Sequence, residues 1–199
     1  MIKRLLLSLA LFMLLSLLVA QNSITDSYNL EASGNYTEAL RIMQGLAEQE
    51  PGEAFYQVRI AWLQYLLGQY QNAQGSYRAS LQILDNLDAW TGIINCNLAL
   101  ANWTEARRIA GDLLTIHAQN PTILGKAAYA SYMMQDYQAS AAIFGRITEL
   151  YPWDMENRGY LLNNLYLAGR IEEAREQYNL LKKYYPASAM LTEYRNIFE

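Results

Sequence analysis

The chain has 199 residues and a formal net charge of −4, with 52% hydrophobic and 17% charged residues. So much apolar material excludes a disordered chain. The acidic balance, with no basic run longer than Arg107-Arg108 or Lys182-Lys183, argues against a nucleic-acid partner.

A short basic start, MIKR, precedes the uncharged run LLLSLALFMLLSLLVA from Leu5 to Ala20. Polarity then switches at Gln21-Asn22-Ser23. This pattern reads as an export signal over residues 1–20, cut after Ala20, which puts the protein in the periplasm or outside the cell. The alternative is that residues 5–20 are kept as a membrane anchor; only then does the chain meet a membrane. No cysteine lies near position 20 to accept a lipid. Residues 1–20 hold two cations, Lys3 and Arg4, and no acid, so losing them takes the net charge from −4 to −6.

From residue 21 onward one phrase keeps returning. GNYTEALRIMQGLAEQEP at 34–51 is echoed by GQYQNAQGSYRASLQILD at 68–85. The opening bulky residue falls at Tyr36, Tyr70, Trp103, Tyr137 and Ile171, at intervals of 33 or 34 residues. Three places later stand Ala39, Ala73, Ala106, Ser140 and Ala174; four further on come Met43, Tyr77, Ala110, Phe144 and Tyr178. A fixed period of this length means stacked helix pairs. Paired helices are expected at 23–33 and 36–49, 54–67 and 70–84, 87–100 and 103–118, 121–134 and 137–150, and 154–167 and 171–184. Gly34, Gly68 and Gly169 fall between paired helices, where a positive φ suits glycine. Asn120-Pro121 reads as a helix cap with proline in the first turn. A last helix over 187–198 carries Leu191, Tyr194 and Phe198 on one face, suited to closing the array.

Over roughly 21–188 these motifs resemble the tetratricopeptide repeat. Trp90 stands at its opening position, followed by Ile93-Ile94, with Ile60-Ala61, Ala127-Ala128 and Leu161-Leu162 at the matching places in other copies. The resemblance implies an all-α, right-handed solenoid of antiparallel helix pairs. It divides 21–199 into repeats at about 20–53, 54–86, 87–120, 121–154 and 155–188, with a cap at 189–199. Asp26 stands where the family has leucine, so the first helix is expected to be irregular or frayed.

The resemblance also implies that the first helix of each pair lines a concave groove. In the second copy Tyr56, Ile60, Leu63 and Leu67 share a core face, whereas Phe55, Arg59, Trp62 and Tyr65-Leu66 lie on another. The same register adds Tyr28, Thr91, Asn95, Leu98, Tyr129, Tyr132, Asn163 and Tyr166. We expect a partner to bind at Phe55, Arg59, Trp62, Tyr65, Asn95, Tyr129, Tyr132, Asn163 and Tyr166, because exposed aromatics, arginine and amides are interface residue types. Packing wedges between helices are the bland account of the same tyrosines. A carboxylate-holding clamp of the family's kind is disfavoured, since its lysine positions hold Ile24, Val58, Thr91, Gly125 and Gly159.

No catalytic role is expected. His117 is the only histidine and sits near the end of a second helix, where the helix dipole favours it. Cys96, among Ile93, Ile94 and Leu98, reads as a small buried hydrophobe. No cofactor or metal is expected. The leading reading is an exported scaffold for a protein or peptide partner. A glycan carrier and a self-assembling accessory domain are the alternatives.

Overall fold

The computed structural model describes residues 23–199, so the expected leader and the expected start at Gln21 lie outside the described residues. Within it, helices follow one another from end to end: α1 (Ile24–Ala32), α2 (Tyr36–Gln49), α3 (Ala54–Leu66), α4 (Tyr70–Ile83), α5 (Leu87–Ala99), α6 (Trp103–Leu114), α7 (Pro121–Met133), α8 (Tyr137–Leu150), α9 (Met155–Leu167), α10 (Ile171–Tyr184) and α11 (Ala189–Phe198). Among the described residues no helix is long and apolar enough to cross a membrane. The array is an all-α helical-repeat solenoid.

Each helix packs on the next in sequence. Beyond these neighbours, the main contacts are α3 with α5 and α5 with α7, all first helices of their pairs. In this central stretch the first helices thus sit closer to one another than the second helices do.

The repeated small residue explains how each pair closes. Ala39, Ala73, Ala106, Ser140 and Ala174 are all fully buried, so the second helix approaches the first with almost no side chain between. Ser140 fits this slot by donating its hydroxyl to the Ala128 carbonyl at 3.0 Å. The turn inside each pair needs one residue with positive φ. Gly34, Gly68 and Gly169 supply it as expected, but Ala101 (φ 58°) and Gln135 (φ 60°) adopt it in the third and fourth pairs. Asparagine and aspartate start several helices: Asn86, Asn120, Asp136 and Asp154 each accept an N–H of the first turn.

The first helix is regular, contrary to expectation. Ser23 and Asp26 form a reciprocal cap, the Asp26 carboxylate accepting from both the N–H and the hydroxyl of Ser23. The residue that departs from the family pattern is therefore the one that begins the helix. A second departure is α6, which stops at Leu114 rather than near 118. The Thr115 hydroxyl donates to the Asp112 carbonyl at 2.7 Å, and the N–H groups of Ile116 and His117 both turn back to Leu113. Arg146 on α8 then donates to the Ala118 carbonyl at 2.9 Å, holding the turn. His117 consequently lies in an exposed turn and not on the helix. The last helix starts at Ala189, two residues later than expected, and buries Leu191, Tyr194 and Phe198 as a terminal cap should.

The core runs as three linked clusters along the array. Cys96 is fully buried in the middle one, and burial pushes its thiol up to about 11.

Candidate functional site

The expected partner-binding residues fall into two groups on the first-helix face, joined by a polar link. The first group centres on Glu31, near the end of α1. Its carboxylate accepts from the Trp62 indole at 2.7 Å and pairs with the Arg59 guanidinium. The Arg59 guanidinium also lies 4.3 Å from the centre of the Tyr28 ring, close enough for a cation–π contact. The Arg59 side chain is only 13% exposed, and its Nε has no hydrogen-bond partner. Trp62 is half-buried and stacks on Tyr65 with centroids 5.8 Å apart and planes 11° apart. Tyr65 packs in turn on Tyr70 of α4. Phe55 is exposed at the start of α3, and its ring contact is Tyr56, not Trp62.

The link is Asn95 on α5, whose Oδ1 accepts from the Lys126 ammonium on α7 at 2.5 Å. Burial lowers the Lys126 pKa, because an ammonium loses hydration there. Sequence reasoning missed this lysine. It lies one residue past Gly125, the place where register had looked for a cation and found none.

The second group surrounds a cavity of about 400 Å³ between α7 and α9. Tyr129, Tyr132 and Asn163 line it as the register implied, together with Phe144, Asn157, Tyr160 and Asn164, which were not foreseen. Tyr129 is exposed and meets Trp103 edge to face at 6.1 Å. Tyr160 packs on Phe144 at 5.2 Å and donates to Glu156 at 2.8 Å, and that bond raises its phenol pKa. Tyr166 is drawn away from the cavity into the cap, against Tyr194 and Phe198. Asn163 accepts from the Tyr194 hydroxyl at 2.6 Å. The cap thus contacts two of the expected binding residues, of which Asn163 still lines the cavity.

Among the described residues, no cluster of three or more His, Cys, Asp or Glu could hold a metal ion.

This is the tetratricopeptide-repeat fold. No family model matches the chain, and neither does any curated protein. Solved structures do. A tetratricopeptide repeat protein from Parabacteroides merdae is 19% identical with a TM-score of 0.75, over 88% of this chain and 70% of that one. MamA from Desulfovibrio magneticus RS-1 is 14% identical with a TM-score of 0.72, over 82% and 93% of the two chains. YrrB, described as a tetratricopeptide repeat protein with an unusual peptide-binding site, is 12% identical with a TM-score of 0.69, over 87% and 90%. At these identities the likeness concerns the fold.

Proposed function

We propose that the protein is an exported interaction scaffold that binds a segment of a partner protein in its first-helix groove. The observation that carries this reading is the row of aromatics on that face, at Tyr28, Phe55, Trp62, Tyr129 and Tyr132. Three of them, Tyr28, Phe55 and Tyr129, are exposed, so the core does not account for them. Tyrosine and tryptophan give wide contact area at little rotamer cost, which suits a binding surface. The peptide-binding site named for YrrB is a precedent in the same fold. Export rests on the apolar run after MIKR, and N-terminal sequencing of the exported protein is expected to read Gln21. A start at Met1 in the membrane pellet would instead mean an anchor.

The test is photo-cross-linking in the native envelope, with the reactive group placed at Thr91 or Leu98 on α5 or at the exposed Ala79 on α4. One protein should be captured from Thr91 and Leu98 and not from Ala79. Capture equally strong from Ala79, or only of a second copy of the chain, would overturn the reading.

A further inference from the structure

The cavity between α7 and α9 contains a buried acceptor that the fold leaves unused. Asn164 lines its floor and is 2% exposed, yet its Oδ1 has no hydrogen-bond partner. Its orientation is fixed chemically: Nδ2 donates to the Tyr160 carbonyl at 2.8 Å, and an amide turned the other way would set two oxygens against each other. The register makes the residue anomalous. The matching place holds an exposed asparagine, Asn29, in the first repeat and Leu63, Cys96 and Ala130, all fully buried and apolar, in the next three, so only the fifth repeat buries an asparagine there. An asparagine there leaves a desolvated carbonyl for no gain in packing.

The rest of the lining indicates what that carbonyl is for. Asn157 gives one amide N–H to Asp154 at 2.7 Å and keeps its carbonyl oxygen and a second N–H, while Asn163, whose Oδ1 is taken by Tyr194, has N–H groups to offer. Tyr129, Tyr132, Tyr160 and Phe144 supply aromatic walls. No lysine, arginine or histidine is among the lining residues, and the Glu156 carboxylate accepts from the hydroxyl of the lining Tyr160. Acceptors, aromatic faces and nearby carboxylates attract a cation that carries N–H donors.

We propose that this cavity receives a basic side chain of the partner segment, with the flat guanidinium of arginine as its occupant. A guanidinium lies against tyrosine faces and presents several N–H groups in a fork, which serves two separate amide oxygens. The net negative charge left after residues 1–20 favours the approach of such a segment. This assignment rests on the scaffold reading and gives it a partner chemistry.

The test titrates the purified protein with acetyl-Gly-Arg-Gly-amide and with the same peptide carrying citrulline, which keeps the shape and loses the charge. Side-chain amide and tyrosine ring NMR signals report binding. The arginine peptide should saturate and shift Asn164, Tyr129 and Tyr160, with citrulline at least about fivefold weaker. Asn164→Leu should lose about tenfold or more in affinity without a lower melting temperature, since it restores the residue found at position 63. Tyr129→Ala, on an exposed side chain, should weaken binding with the fold intact, and it carries the test if Asn164→Leu fails to fold. Equal binding of citrulline, or unchanged affinity in both variants, would overturn the assignment. If Thr91 and Leu98 capture a partner but the arginine peptide does not shift Asn164, the cavity assignment alone falls. If neither result appears, the scaffold reading falls with it.

Discussion

Glu31 holds Trp62 across 31 residues of sequence, its Oε1 accepting the indole N–H while its other oxygen pairs with Arg59. One carboxylate near the end of α1 therefore fixes two side chains of the groove face of α3. Glu31→Ala should leave Arg59 largely buried with neither of its oxygens, at a cost of about 1–3 kcal/mol. The loss should appear as a lower denaturation midpoint. An unchanged midpoint would mean that water serves Arg59 as well as Glu31 does.

The same contacts bear on Trp62. Trp62→Ala removes a half-buried ring and should cost less stability than Ile60→Ala or Leu63→Ala, where buried cavities of about 2–5 kcal/mol are expected. Thermal melts of the three variants give the order. If Trp62→Ala is the most damaging, Trp62 is a packing wedge between repeats.

Gly92 on α5 has no room for a side chain. A Cβ built there would lie 2.1 Å from Cζ of Tyr77, whose ring presses against it from α4. Gly92→Ala should destabilise by about 1–3 kcal/mol or more, because a buried ring must move as a whole. Tyr77→Phe should not relieve the clash, since the ring carbons remain. Tyr77→Leu should relieve part of it, a coupling that a double-mutant cycle of melting midpoints would reveal.

The turns at Ala101 and Gln135 hold non-glycine residues at positive φ, where the first, second and fifth pairs use glycine. Ala101→Gly and Gln135→Gly should each raise stability by about 0.5 kcal/mol, strain relief exceeding the entropy that glycine adds to the unfolded chain. Gly34→Ala should act in the opposite direction. Equilibrium denaturation of the single variants checks both signs.

Alkaline pH should unfold the protein in part through Cys96. Its folded pKa is raised by burial to about 11 from 9.0, so the folded state keeps its proton where the unfolded chain loses it. That contribution is fully present below pH 9 and is lost as pH rises toward 11, amounting to about 2–3 kcal/mol. Tyr194, pushed up to about 12 by burial, adds to the loss above pH 10. The denaturant midpoint measured from pH 8.5 to 11 should fall, and Cys96→Ala should flatten the first part of that fall.

The period itself made the pairs legible in the sequence: Gly34, Gly68, the recurrent buried Ala and the Asn120-Pro121 cap all sit where local chemistry puts them. Local chemistry also carried the departures, but only on closer reading. Ser23 and Asp26 form a cap three residues apart, and Thr115 ends α6 through its own hydroxyl. The groove was legible only as a face. Register picked out Trp62, Tyr129 and Tyr132, but not which side chains the next repeat would claim. Glu31 reaches Trp62, Asn95 meets Lys126 and Asn163 meets Tyr194, each across 31 residues. Such pairings depend on the rotation between repeats, which a pattern read one helix at a time does not contain. Asn164 was hidden differently, since a buried amide with an idle oxygen looks like any other asparagine until its surroundings are known.

The most direct test of the groove compares the affinity of the captured partner for three forms of the protein: wild type, Tyr129→Ala/Tyr132→Ala, and Trp153→Ala. Trp153 is 66% exposed and lies in the turn between α8 and α9, away from the cavity lining. The tyrosine pair should lose at least about thirtyfold in affinity, as anchors at the centre of an interface do, and Trp153→Ala should change it by less than about twofold. A large loss at Trp153 with the tyrosine pair unaffected would contradict the groove reading.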